Sequence, residues 1–239
     1  MEFSLTTAFV FPGQGSQSIG MLADFASEAP VIDTFREASE ILGYDLWSYA
    51  QNGPQEWMTL TTNTQPLIYT ASVALLRLLA PELSEISCVA GHSLGEYAAL
   101  VAAQSLSFES GLRLIAFRAQ AMHEAFPAGQ GAMAAVMGLT PEVVTYTVRE
   151  ISPTVEAVNF NSPQQIVIAG YVEGLTKAEA LLKEKGARRV LRLNVSGPFH
   201  SSLMNQARER LAQRLATETF AEASISVVQN YNATPTTDA

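Results

Sequence analysis

The sequence predicts an α/β protein: a parallel sheet covered by helices on both faces, interrupted by a smaller module of strands and helices. Three observations predict it. Over residues 8–125, short apolar runs alternate with segments of helical periodicity. Between 127 and 196 the alternation gives way to the order βαββαβ, the split-βαβ arrangement of a ferredoxin-like module. After 197 a helix and then a strand resume the first pattern.

Taken in order, residues 8–11 (AFVF) read as a short buried strand running into the turn PGQGSQ. Ile19, Leu22, Phe25 and Ala26 recur at helical spacing and predict a helix over 17–29, followed by a second over 31–42. GYDLWSYAQNGPQEW predicts loop or short helical turns. Leu67, Ile68, Ala71, Ala74, Leu75, Leu78 and Leu79 form a helical stripe from Gln65 to Leu79, with Pro81 placed to stop it. ISCVAG (86–91) reads as a buried strand, and LGEYAALVAA as a helix from its Ala and Leu content. A further helix covers 108–125.

In the inserted module, GAMAAVMGL is a strand and PEVVTYTVREI a helix with Pro141 in its first turn. VEAVNFN and QQIVIAG are strands joined by a tight turn at Ser162-Pro163. VEGLTKAEALLKEKG is a helix ended by Gly186, and ARRVLRLNV closes the module. A helix over 203–216 and the strand SISVVQN follow. The expected division is a discontinuous large domain, 1–126 with 197–239, and a small one, 127–196. No repeat, low-complexity tract or flexible linker stands out.

Composition narrows the function. A chain of 239 residues, 48% hydrophobic and 15% charged, suits a compact soluble enzyme. A formal charge of −9 argues against nucleic acid, whose phosphates need a basic surface. One run is basic nonetheless: 183–192 holds Lys183, Lys185, Arg188, Arg189 and Arg192 against a single Glu. It is either a solvated helix end and strand edge or a seat for an anionic partner. Cys88 is the only cysteine, so no disulfide framework is possible and a Cys-based zinc site is not expected; the residue is expected in the core. No metal site is expected. The opening MEFSLTTAFVFPGQG lacks the basic start and cleavage pattern of a signal peptide. No stretch nears the ~18 apolar residues of a membrane span, so a cytoplasmic protein without membrane contact is expected.

The chemistry concentrates at Gly91-His92-Ser93-Leu94-Gly95, with an apolar strand before it and a helix after it. Glycines flanking a serine permit a sharp strand-to-helix turn that holds the hydroxyl out at the sheet edge. The Leu94 N–H would then face a developing oxyanion, helped by the helix N-terminus. The plainer alternative is Ser93 as a helix N-cap. A nucleophilic serine needs a base, and only three histidines exist. His92 adjoins Ser93 on the turn with its side chain directed away, and His123 lies on an exposed helix face. His200, in VSGPFHSSLM, is the base by elimination.

FPGQGSQ (11–17), GHSLGEYAALVAA (91–103), the arginine of IAFRAQAM (115–122), NFNSPQQIVIAG (159–170) and GPFHSSLM (197–204) occur in this order. Together they resemble the malonyl-CoA:acyl carrier protein transacylase family of bacterial fatty-acid synthesis, over essentially the whole chain. The resemblance implies a hydrolase-like α/β domain interrupted by a ferredoxin-like subdomain. It implies Ser93 as the acylated nucleophile, His200 as general base and then acid, and the backbone N–H groups of Gln14 and Leu94 as the oxyanion hole. Arg118 is implied to grip the free carboxylate of the malonyl group, which suits a planar guanidinium. Gln65, Asn161 and Gln165 fall in motifs that line the family's cleft, and Phe199 matches its malonyl-accepting pattern.

The implied reaction is ping-pong: Ser93 takes malonyl from malonyl-CoA, and the phosphopantetheine thiol of acyl carrier protein collects it. No bound cofactor is implied, and one chain is expected to work alone. Carrier proteins of this kind are acidic, which gives Lys183, Lys185, Arg188 and Arg189 a docking role. A serine esterase or thioesterase on the same turn, a polyketide acyltransferase, and an impaired carrier-binding fragment are the alternatives. Family members also usually continue beyond the point matching Ala239, with a Gly-Pro-Gly motif and the group that orients the histidine, so no residue is assigned that last role.

Overall fold

The apolar runs TAFVF and ISCVAG become β1 (Thr7–Phe11) and β2 (Ile86–Gly91), paired in parallel with Phe11 opposite Gly91. In this computed structural model the described residues are 7–79 and 86–238. Between β1 and β2 lie α1 (Ala29–Leu42), α2 (Leu46–Asn52), α3 (Gln55–Thr59) and α4 (Thr61–Leu79). After β2 come α5 (Gly95–Ala102), α6 (Phe108–Glu124), β3 (Gly131–Met137), α7 (Pro141–Arg149), β4 (Val155–Ser162) and β5 (Gln165–Tyr171). The chain closes with α8 (Val172–Glu184), β6 (Arg189–Arg192), α9 (Asn205–Leu215), β7 (Ser226–Val228) and β8 (Pro235–Thr236). Two compact units result, one of 1–119 with 214–239 and the other of 120–213.

In the first unit the strand order is β1-β2-β7-β8, with β7 parallel to β2 and β8 folding back antiparallel on β7. Beside the sheet, Val31, Phe35, Leu46, Met58, Leu67, Ile68, Val89, Leu94, Leu112 and Ile115 form one buried cluster. Tyr69, at the middle of α4, ties two helices together. Its ring stacks on Phe108 at a centroid distance of 5.5 Å, and its hydroxyl donates to the Phe108 carbonyl at 3.0 Å. Arg77 lies over the other ring, 4.6 Å from the Phe108 centroid, while donating to Glu37 at 2.7 Å. A Cβ at Gly111 would stand 2.1 Å from the Tyr69 oxygen, so α6 approaches α4 only because that position is glycine.

The second unit has the strand order β4-β5-β3-β6 with every pairing antiparallel, the ferredoxin-like arrangement. The two-residue period of β3 sorts its side chains to opposite faces. Ala134 and Val136 join Val144, Val148, Leu175 and Leu182 of α7 and α8. Met133 and Ala135 face the other way, with Val167, Ala169, Phe199 and Met204.

The expected helix over 17–29 is absent; a single 3-10 turn, Ala23–Phe25, stands there, and α1 already begins at Ala29. Gly20 at φ +80° and Leu22 at φ +63° break the helix, and the Gly20 N–H is taken by the Ala50 carbonyl at 2.9 Å. α4 starts four residues earlier than its apolar stripe, at Thr61, and keeps Pro66 inside it. Pro81 lies outside the described residues. Cys88 is half-buried on β2, not enclosed in the core as expected.

Tyr69→Phe removes the hydroxyl's bond to the buried Phe108 carbonyl, which the helix still pairs, and is expected to cost about 0.5–1.5 kcal/mol. Gly111→Ala forces overlap with the same hydroxyl and is expected to cost about 1–3 kcal/mol. The double variant should lose less than the sum, because removing the oxygen relieves part of the overlap. Urea unfolding of the four proteins measures this; strict additivity contradicts the contact.

Candidate active site

Residues 92–94 carry the chain from β2 into α5 in a turn that leaves no room for side chains at its ends. A Cβ on Gly91 would lie 2.0 Å from the Gly95 carbonyl carbon, and one on Gly95 would lie 2.4 Å from the Phe11 oxygen. The turn after β1 presses in from the other side, since a Cβ on Gly13 would be 2.7 Å from His92 Nδ1. The His92 N–H donates to the Phe11 carbonyl at 2.9 Å and stitches the two turns together. At their meeting point Ser93 sits at φ +54°, a conformation costing a non-glycine residue on the order of 1–3 kcal/mol. The N-cap position of α5 belongs to Leu94, without a side-chain cap.

The Ser93 hydroxyl instead accepts from Arg118 Nη2 at 2.9 Å. Arg118 projects from α6 and is buried, with Nη1 donating to Gln65 Oε1 at 2.5 Å. Gln65 is itself buried, on α4. Burial lowers the pKa of Arg118, against the pull of Tyr97 and Glu96, which raise it. A guanidinium keeps its proton in such a setting, so the site holds a fixed cation beside the hydroxyl. Burial raises the pKa of the Tyr97 phenol and so keeps it neutral; Arg118 works against this and Glu96 with it.

Because β1 and β2 run parallel with Phe11 opposite Gly91, the turns holding Gln14 and Leu94 leave the same carboxyl edge of the sheet. The Gln14 side chain donates to Thr61 Oγ1 at 3.2 Å, which leaves its backbone to the turn. On the far side of β2, Val228 of β7 pairs with Ala90, and two residues later Asn230 meets the serine turn. Its Oδ1 accepts from the Ser93 N–H at 2.9 Å, and its Nδ2 donates to the Gly91 carbonyl and to Glu96 Oε2, both at 2.6 Å. Sequence reasoning passed over Asn230, whose only signal was a polar residue just past a strand end, and Glu96, an acidic residue in the first turn of α5.

The second unit carries the other predicted residues. His200 is exposed at φ +65°, next to the buried Phe199. The segment is braced on both sides: the Ser201 hydroxyl donates to the Pro198 carbonyl at 2.6 Å, and the Ser202 N–H donates to Glu156 on β4 at 2.9 Å. The Ser202 hydroxyl also donates to Glu156. Asn161 and Gln165 face each other across the β4–β5 turn, with Nδ2 donating to Oε1 at 3.2 Å. Lys183, Lys185, Arg188 and Arg189 are all exposed, at the end of α8 and the start of β6. His123 is exposed on α6, as is His92 on the serine turn. Among the described residues no His/Cys/Asp/Glu group fit for a metal occurs, and no helix is long and apolar enough to cross a membrane.

The acyl transferase domain family matches residues 8–238. The malonyl CoA-acyl carrier protein transacylase of Salmonella typhimurium is 47% identical over 236 residues, covering 97% of this chain and 76% of that protein. An acyl-carrier-protein S-malonyltransferase structure from Burkholderia pseudomallei is 49% identical with a TM-score of 0.94, over 98% of this chain and 77% of that one. A malonyl-transacylase solved in complex with a type II polyketide acyl carrier protein is 44% identical, also with a TM-score of 0.94, over 98% of this chain and 77% of that one.

Gly95→Ala pushes a methyl against the Phe11 carbonyl, which is backbone and has nowhere to go. The variant is expected to lose about 1–3 kcal/mol of stability and to react at least tenfold more slowly, by rough estimate, with a fluorophosphonate serine probe. Labelling at the wild-type rate contradicts the interlocked turns.

Proposed function

The chain belongs to the acyl transferase domain family, and we propose that it moves malonyl groups from malonyl-CoA to the phosphopantetheine thiol of acyl carrier protein. The observation that carries this reading is the buried Arg118 guanidinium against the Ser93 oxygen. A plain esterase has no use for a fixed cation within hydrogen-bond distance of its nucleophile. An enzyme whose acyl group ends in a carboxylate does, because that anion must leave water and be met by paired donors.

In the first half-reaction the Ser93 oxygen attacks the thioester carbonyl while its proton passes to His200. The new C–O bond turns the carbonyl oxygen into an oxyanion, held by the N–H groups of Leu94 and Gln14. Collapse breaks the C–S bond, and the coenzyme A sulfur leaves with the proton from His200. Throughout, Arg118 binds the malonyl carboxylate, with Gln65 fixing the guanidinium. In the second half-reaction the carrier thiol gives its proton to His200 and attacks the malonyl ester. Ser93 departs and recovers its proton. Atoms and charge balance without any cofactor.

Asn161 and Gln165 are assigned to the lining of the acyl site, and Phe199 to discrimination against an α-methyl branch, where one methyl is worth only ~1–3 kcal/mol. Lys183, Lys185, Arg188 and Arg189 form the docking patch for an acidic carrier protein. The proposed setting is fatty-acid synthesis in the cytoplasm, with one chain as the working unit.

Incubation with malonyl-CoA should add one malonyl group to the intact mass of the chain, and acyl carrier protein should discharge it. Ser93→Ala should stay unmodified. Release of free malonate without carrier contradicts transfer. Arg118→Ala is expected to lose about 2–4 kcal/mol of transition-state stabilisation for malonyl, roughly 30- to 1,000-fold in kcat/KM, while acetyl transfer falls far less. Equal losses for both acyl groups contradict the carboxylate grip. Arg188→Glu with Arg189→Glu should raise KM for the carrier and leave the acylation step alone.

A further inference from the structure

We propose that Asn230 is a positioning residue for the nucleophile, holding the Ser93 turn from the β7 side; the proposal rests on Ser93 being the acylated group. Three observations carry it. First, Ser93 occupies a positive φ that the turn itself does not favour, so something must hold it there. Second, the Asn230 amide bonds both ends of the turn at once: Oδ1 accepts from the Ser93 N–H at 2.9 Å, and Nδ2 donates to the Gly91 carbonyl at 2.6 Å. Third, the clamp is itself held by Glu96 on α5. Glu96 Oε2 accepts from Asn230 Nδ2 at 2.6 Å, and Oε1 accepts from the Asn230 N–H at 3.3 Å.

The partners dictate the amide's orientation. An N–H faces one end and two acceptors face the other, so only oxygen toward Ser93 and nitrogen toward Gly91 satisfies all of them. The same pattern explains why the side chain must be an amide. Serine or threonine is too short to bridge the turn, and a carboxylate supplies the oxygen without the donor. Taking up the Ser93 N–H also removes it from competition, which leaves the next one, that of Leu94, to face the reacting carbonyl. Asn230 touches neither acyl group nor thiol, so its effect is on where the Ser93 oxygen points.

The test compares wild type, Asn230→Ala, Asn230→Asp and the double variant Asn230→Asp with Glu96→Gln. The full chain is used, and single-turnover acylation by malonyl-CoA is followed by intact mass beside a thermal melt. Asn230→Ala is expected to slow acylation at saturating malonyl-CoA by about 10- to 100-fold, with the half-saturating concentration moving less than about threefold. Asn230→Asp keeps the shape and the acceptor for Ser93, but it loses the donor and sets a second carboxylate against Glu96. It should be at least as slow. Adding Glu96→Gln restores a donor from the opposite side and should recover part of the lost rate.

Acylation of Asn230→Ala at the wild-type rate overturns the proposal. So does a loss that appears in the half-saturating concentration and leaves the rate at saturation intact. If Asn230→Ala melts below the assay temperature, the aspartate pair decides: no recovery in the double variant overturns it. Failure of the wild-type chain itself to gain a malonyl group, with the melt unchanged, defeats the assignment of Ser93 and takes this inference with it.

Discussion

Phe11 and Gly95 meet with no space for a single methyl group between them, and the site in the first unit follows from that contact. Two parallel strands end level with each other, and the turns that leave them must cross at once. They do so because Gly13, Gly91 and Gly95 carry no side chains, and because the His92 N–H bonds the Phe11 carbonyl. Relaxing any of these contacts would let the serine turn open toward an ordinary helix start. Ser93 would then lose the positive φ that presents its oxygen. The strain at one residue is held by packing at four others, as expected where a reactive group must stand clear of its own backbone.

A buried guanidinium is the second constraint, and it bears on a different link of the chain from fold to function. Desolvating a cation is expensive unless its donors are matched. Arg118 spends one donor on Gln65 and another on the Ser93 oxygen, both at hydrogen-bond distance. The hydroxyl is a weak partner for a full charge. A carboxylate is a far better one, which is the partner the proposed malonyl transfer would bring. α4 and α6 must hold their relative places for this to work, and Tyr69, Phe108 and Gly111 lock them near the start of α6.

Much of this was legible in the sequence, and what was not shares a physical cause. The Gly-x-Ser-x-Gly spacing is a local signal, because the glycines that matter lie within the same turn. The βαββαβ order was legible for the same reason, since each strand and helix announces itself by its own period. The helix expected over 17–29 failed because Gly20 bonds a carbonyl, that of Ala50, supplied from beyond α1. The roles of Asn230 and Glu156 went unread for a related reason: each acts on a turn that another strand delivers. Gln65 and Arg118 were both singled out, yet their bond to each other depends on how α4 and α6 pack, which periodicity does not encode.

The strand order explains why the neighbours of Ser93 have separate tasks. β2 is flanked by β1 on one side and β7 on the other, all parallel, so both flanking chains deliver residues to the carboxyl edge where ligands bind in such sheets. From β1 comes a glycine-rich turn, which brings bare backbone close against the serine turn. From β7 comes an amide side chain, whose use is to grip backbone that already exists. Neither could replace the other: a turn cannot donate and accept at chosen points as an amide does, and an amide cannot approach as closely as bare backbone. A central strand with two parallel neighbours is the smallest arrangement that offers both, and a serine at its exit receives one from each side.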